Sequence, residues 1–408
     1  MADPMKFFEG IPFDVPAGAA EVTALAKESS RVQIDEFRQL VMNCVASGAS
    51  DLTIQSNKQP RAEIHGRQFR LTRRIWTVTD VELILSEVYG SSNAMAEING
   101  RSILDFAWDI RVNRTYRQRF RINATGIHTE MGKGVEITLR ALPAQTPTLQ
   151  SVGLDPDLMR WLKPRNGIVI IAGATGQGKS TTMAAITRAH LESQTNPVKI
   201  VDIQKPIEFP FDDVTRALEG SPSIIGQSEV GQHIRSFSDG VWSALRRAPD
   251  IINVGEGRDA ETILASIEAS LTGHLVYTTT HAGTVSETLR RMVTAFGPED
   301  RESRAFDLIT SLRFVMTQYL LPTADGKGRT PAREMLALDA GLRARLAAMT
   351  PDEWPSYIDA VMRGDDAGSV SAGAPRIPME RSIRRLLKDG VISEAVARPY
   401  LMAGGGDE

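Results

Sequence analysis

One cysteine, Cys44, is all that this chain of 408 residues has. A single thiol excludes an intramolecular disulfide and any cysteine-rich zinc site, and it points to a reducing compartment. A large excess of either charge is also missing. Lys and Arg number 47 against 50 Asp and Glu, for a formal net charge of −3, which argues against a protein whose main task is to coat nucleic acid. Aromatic residues make up 6%, few for stacking bases. No apolar run reaches the roughly eighteen residues that suggest a membrane-spanning helix. The N-terminus, MADPMKFFEGIPFDVPAG, has acids and prolines where a signal peptide needs an unbroken apolar stretch. The chain is therefore expected to be soluble and cytoplasmic, reaching any membrane through partners. What is present, 42% hydrophobic and 24% charged residues, is ordinary for a globular protein of two or three domains.

Composition along the chain marks the boundaries. Residues 1–30 mix Pro, Gly, Ala and acids and read as a mobile leader. Apolar residues at helical spacing predict a helix over Val32–Ala46, and Leu52–Gln55 follows as a short strand, so an α/β domain is placed at 31–142. Pro143 and Pro147 stiffen a linker at 143–150. Strands and helices then alternate, the pattern of a parallel sheet with helices on both faces, and a second domain is placed at 151–335. Near its end Asp325-Gly326 signals a hairpin. Residues 336–408 read as helical, with a loose connector at 364–376 and two short helices beyond it.

The most specific run is Gly173, Ala174, Thr175, Gly176, Gln177, Gly178, Lys179, Ser180. It fits a phosphate-binding loop between the buried strand Ile168–Ile171 and a helix over Ser180–Glu192, whose amide groups and positive end would face the phosphates. Lys179 would reach the β- and γ-phosphates, and the Ser180 hydroxyl would sit on Mg²⁺, with Thr181 next in the helix. ATP and Mg²⁺ are the expected cofactors.

Downstream, Ile251–Val254 ends in Gly255 and Glu256, an acid after a buried strand that would meet Mg²⁺ or its water. His274 and His281, two of six histidines, bracket the strand Leu275–Thr280. In a parallel sheet His281 shares the P-loop's edge and would sense or donate to the γ-phosphate. For both histidines a catalytic role stands beside a structural one. Arg117, Arg119 and Arg121 alternate with Gln118, Phe120 and Ile122, and Arg140 closes the next strand-like run. Their shared face reads as fingers into a neighbouring subunit's nucleotide, as a solvated ion-pair face, or as a nucleic-acid track.

Taken in order, these residues resemble the secretion ATPases that drive type II and type IV secretion, conjugation and pilus dynamics, the GspE/PilT-like superfamily. The resemblance runs from about Gly48 to Phe296: GASDLTIQSN, RFRINATG, ITLRALPAQTPTLQSVGL, GATGQGKSTT, KPIEFPFDD, ALRRAPDIINVGEGRDAET and TGHLVYTTTHAG stand where the family has its domain start, arginine strand, linker, Walker A, aspartate box, Walker B and histidine box. It implies an α/β fold: a PAS-like N-terminal domain, a RecA-like core with a parallel sheet, and here small C-terminal helices. It also implies a homohexamer with nucleotide between adjacent domains. The branch it resembles, from GASDLTIQSN and IIGQSEVGQHIRSF, is that of DotB and conjugative TraJ. Partners implied are inner-membrane secretion or conjugation proteins, and nucleic acid is not expected as a direct ligand.

One position departs from the family pattern. Where the aspartate box supplies a glutamate to activate water, this chain has Gln204; Glu208 matches the box's second glutamate, and Asp202 shares a strand face with Gln204. Slower turnover follows, with Gln204→Glu expected to raise the rate. Asn253, polar inside an apolar strand, has no account at this level. The function read here is a hexameric ATPase for type IVB-like secretion or conjugative transfer. The alternatives are a pilus retraction motor of the PilT kind and a nucleotide-gated scaffold with weak hydrolysis.

Overall fold

The computed structural model describes residues 24–25, 28–64, 67–112, 117–143, 145–218, 220, 222–326, 328–365, 371 and 373–402. Most of the expected leader at 1–30 lies outside the described residues, as do 366–370 and 372 of the expected connector. The chain divides into two units, Met1–Gln145 and Thr146–Glu408.

In the first unit, helix α1 (Ile34–Ala46) precedes strands β1 (Ala49–Gln55), β2 (Arg61–Ile64) and β3 (Arg67–Arg70). Helices α2 (Val78–Tyr89) and α3 (Ala94–Asn99) follow, then β4 (Leu104–Arg111), β5 (Arg117–Thr129) and β6 (Gly132–Ala141). The six strands form one antiparallel sheet in the order β3-β2-β1-β6-β5-β4. Alternation decides which side is core. Phe120, Ile122 and Ala124 of β5 are buried with Ile54, Ile137, Phe37 and Ile84, while the residues between them face the other way. Thr77 and Asp80 start α2 with a reciprocal capping box, which satisfies two otherwise orphaned amide donors.

The second unit opens with α4 (Met159–Leu162), β7 (Gly167–Ala172), α5 (Lys179–Leu191), β8 (Lys199–Gln204), α6 (Asp212–Ala217), β9 (Ile224–Glu229) and α7 (Phe237–Ala244). It continues through β10 (Ile251–Val254), α8 (Ala260–Leu271), β11 (Leu275–Thr280), α9 (Val285–Thr294), α10 (Arg301–Ser311), β12 (Leu312–Pro322) and β13 (Arg329–Ala337). The last elements are α11 (Ala340–Ala347), α12 (Trp354–Arg363), β14 (Arg376–Ile377), α13 (Met379–Lys388) and α14 (Glu394–Met402). The sheet order is β14-β13-β12-β7-β11-β10-β8-β9, parallel from β12 to β9 and antiparallel at β13 and β14. Arg376 and Ile377 of β14, at the end of the expected connector, thus pair with Leu336 and Met335.

Strand β7, Gly-Ile-Val-Ile-Ile-Ala, is buried along its whole length, as expected of a parallel strand covered on both faces. Ile168 and Ile170 enter the core that holds α8 and α9; Val169 and Ile171 enter the opposite core, with Met183, Ala184 and Ile186 of α5. Both faces being apolar, function is confined to the strand ends. The hairpin expected at Asp325-Gly326 joins β12 to β13, with Gly326 at φ +66°. Helices α13 and α14 bury Ile383 and Ala397 against Leu321 and Ala332 of that hairpin. Among the described residues, no helix is long and apolar enough to cross a membrane.

Candidate functional site

The loop between β7 and α5 sits at the carboxyl edge of the parallel sheet. Gly178 caps α5 in the left-handed region, at φ +75°. At Gly173 a Cβ would come within 2.8 Å of the Gln318 carbonyl, so the loop passes too close to β12 for any side chain there. Ala174, Thr175 and Gly176 are exposed, Gln177, Gly178, Ser180 and Thr181 are half-buried, and Lys179 is buried. Lys179 Nζ donates to the Gly173 carbonyl at 2.8 Å and the Ala174 carbonyl at 3.0 Å. Burial pushes its ammonium below the usual lysine range, while the Glu256 and Glu208 charges oppose that shift.

The register brings the rest of the site to this edge. Thr280 of β11 pairs with Ala172, so His281 follows the strand beside Gly173, and Val254 pairs with Thr278, which places Glu256 nearby. His281 links the two motifs. Its Nε2 lies 3.3 Å from Glu256 Oε1 and its Nδ1 3.5 Å from Lys179 Nζ. Burial and then the Lys179 charge lower the His281 pKa, the Glu256 carboxylate pulling the other way. A ring placed between a cation and a carboxylate can relay a change at either one.

His274 is not with them. Leu275 pairs with Gly167, at the start of β7, so His274 lies at the opposite edge, where its Nδ1 is 3.0 Å from the Ala269 carbonyl. The physical reason is simple: a six-residue strand separates its two ends by about 20 Å. Within this subunit His274 closes the end of α8.

Gln204 ends β8. Its Nε2 donates to Asp202 Oδ1 at 2.7 Å, and Gln227 Nε2 donates to Asp202 Oδ2 at 2.8 Å. Glu208 follows on the loop after β8 and lines the same cleft as Ser180, Asp202 and Gln204. Glu229, buried at the end of β9, holds that loop by accepting from the Ile207 amide at 3.0 Å.

Sequence reasoning missed a clamp behind the P-loop. Gln318 of β12 donates to the Gln177 carbonyl and accepts from Thr182 Oγ1 at 2.9 Å and from Arg333 Nε at 3.2 Å. Arg333, 4% exposed, also donates to the Gly153 and Val152 carbonyls. The available signal was Gln318 itself, a polar residue within the apolar run Phe314–Leu321. A buried amide must be hydrogen-bonded, so its place in a central strand implies partners.

In the first unit, Arg117, Arg119 and Arg121 share the face of β5 opposite Gln118, Phe120 and Ile122, which are buried. Arg119 stands opposite Asp109, with an ion pair of 3.7 Å, and Arg140 pairs with Asp51 at 2.8 Å. Arg121 is directly opposite Arg140. Two like charges in register repel, a cost that Asp51 partly offsets at Arg140 and that an anion on this face would offset further.

Comparison with known proteins agrees with this architecture. Residues 31–352 match the family described as Type II/IV secretion system protein. The chain is 32% identical to the twitching motility protein of Neisseria gonorrhoeae over 280 residues, 69% of each chain. It superposes on the X-ray structure of the ATPase DotB of Legionella pneumophila with a TM-score of 0.81 and 34% identity, covering 93% of this chain and 98% of that one. The crystal structure of the pilus retraction motor PilT with bound ADP gives a TM-score of 0.72 and 27% identity, over 90% and 96%. With the P-loop, the acid after β10 and the histidine between them at one sheet edge, the chain belongs to the type II/IV secretion system protein family and is an ATP-hydrolysing enzyme of it.

Proposed function

We propose that this ATPase is the hexameric motor of a type IVB-like secretion or conjugative transfer apparatus, working on the cytoplasmic side of the inner membrane through partner proteins. The observation that carries the reading is the extent of the likeness to DotB, nearly end to end in both chains and at a higher TM-score than PilT gives. Pilus retraction is the second reading, favoured by the similarity to a twitching motility protein. Deleting the gene in its own host and scoring DNA or protein transfer beside twitching separates them. Loss of transfer with twitching intact is expected; the reverse result assigns the protein to pilus retraction.

ATP would lie on the loop Gly173–Thr181, with Mg²⁺ on the Ser180 hydroxyl and Glu256 reaching it directly or through water. The donor set suits that ion, which keeps several waters and takes few protein oxygens. His281 would report the state of the γ-phosphate to Lys179 and Glu256, and Glu208 and Gln204 would face the attacking water. The arginines of β5 and β6 are read as acting across a subunit interface, where a phosphate would relieve the Arg121–Arg140 repulsion. Arg121→Ala is then expected to depress turnover by about a thousandfold, as arginine fingers do, while an isolated subunit keeps its ATP affinity. Mixing it with the Lys179→Ala variant should recover part of the activity in hybrid interfaces. No recovery at any ratio, with mixing of subunits verified, would remove the trans role.

A further inference from the structure

We infer that Asp202 and Gln204 work as one unit, in which the buried carboxylate fixes the Gln204 amide so that its carbonyl oxygen is the acceptor presented to the attacking water. The inference rests on the enzymatic activity and concerns how this chain does without a glutamate at position 204.

A glutamine side chain has a donor end and an acceptor end of nearly the same shape, and only the acceptor end can orient a water by its O–H. Something must choose between the two orientations. Here an Asp202 oxygen takes the NH₂ group at 2.7 Å, and a carboxylate accepts only. The other end is defined as well: the Gln204 Oε1 lies 2.7 Å from where a Cβ on Gly255 would stand, beside the residue that precedes Glu256. A side chain at Gly255 would displace it. The amide is therefore fixed at its NH₂ end by Asp202, with its oxygen packed beside Gly255, the residue before Glu256.

The carboxylate is itself built in. Gln227, Asp202 and Asn253 are register partners across β9, β8 and β10, and they form one polar row in an otherwise apolar layer. Gln227 donates to the second oxygen at 2.8 Å, and the Asn253 amide is a further donor. Asn253 also donates to Thr187 Oγ1 of α5 at 2.9 Å, which gives this odd residue of the β10 strand a function. Burial raises the Asp202 pKa and the three amides oppose the shift. In the reaction the water oxygen bonds to the γ-phosphorus, the bond from phosphorus to the β–γ bridging oxygen breaks, and the proton passes to a phosphate oxygen, since an amide does not take it. Asp202 is a positioning residue; Gln204 is the group that meets the water.

On this inference Gln204→Glu slows turnover, the opposite of what the sequence alone leads one to expect. That change places a second carboxylate within 2.7 Å of Asp202, and two carboxylates that close cannot both ionise. The exchange must be made at both positions, so that an amide at 202 donates to a carboxylate at 204. The test is kcat and KM for ATP in four purified forms: wild type, Asp202→Asn, Gln204→Glu and the double variant. Each single change is expected to lower kcat about tenfold with KM nearly unchanged, and the double variant to return to at least the wild-type rate, a coupling that independent sites do not show. Gln204→Glu alone turning over faster than wild type, or a double variant equal to the product of the singles, overturns the dyad. Because Asp202 is fully buried, melting temperature and nucleotide affinity are recorded for each form. Should Asp202→Asn not fold, the rate of Gln204→Glu still decides. Absence of turnover in wild type that binds ATP would instead overturn the enzymatic reading, and the dyad with it.

Discussion

Lys179→Ala is expected to abolish measurable ATP turnover, a loss of at least about a hundredfold, or ~3 kcal/mol of transition-state stabilisation. The expectation follows from what surrounds the ammonium. Lys179 is 9% exposed and held by the Gly173 and Ala174 carbonyls, and the acids whose charges act on it, Glu256 and Glu208, are both at the same edge. Removing it leaves Glu256 and Glu208 facing a triphosphate, while the Arg329 guanidinium donates to the Gly176 carbonyl at 3.4 Å elsewhere on the loop. The γ-phosphoryl group gathers negative charge as it leaves, so a fixed cation helps the transition state more than the ground state. The measurement is Mg²⁺-dependent phosphate release beside wild type, with oligomeric state recorded at the same concentration. Retention of more than a tenth of the wild-type rate would show that the P-loop lysine is dispensable here and that another group carries the charge.

Glu256→Gln is the second large effect, and it separates binding from chemistry. Turnover is expected to fall about a hundredfold while ATP affinity stays within a few-fold, because the amide keeps the shape and loses the charge. It also loses the carboxylate that now faces His281 Nε2 at 3.3 Å. His281 already sits below the usual histidine range through burial and the Lys179 charge; without Glu256 an opposing contribution is gone and the shift goes further down. In cells the same variant tells a motor from a scaffold: transfer should be lost if hydrolysis does the work, and full transfer with a hydrolysis-dead protein would establish the scaffold.

Much of this was legible in the chain because it is local. A P-loop needs its glycines, its lysine and its serine within eight consecutive residues, and Gly173–Ser180 carries them between a strand and a helix that hydrophobic spacing alone identifies. Period-two alternation likewise put Arg117, Arg119 and Arg121 on one face and Asp202 beside Gln204. Handedness and register are not local. His274 and His281 are equal in sequence, each at one end of β11, and only the parallel pairing of Leu275 with Gly167 and of Thr280 with Ala172 makes one a neighbour of the P-loop and the other a cap on α8.

By itself, then, the sequence determined the chemistry class and the face on which each short-range group lies, since these depend on bonds and dihedrals between near neighbours. Tertiary structure alone decided which distant polar residues meet. Gln318 reaches Thr182 across 136 residues, and Gln227 and Asn253 flank Asp202 from two other strands. Strand order brings such residues together, and once buried they must satisfy one another's hydrogen bonds. That requirement places Asn253 beside Asp202 and Thr187, and on the pairing proposed for Asp202 and Gln204 it reverses the sign expected for Gln204→Glu, because Asp202 already stands 2.7 Å from the Gln204 amide.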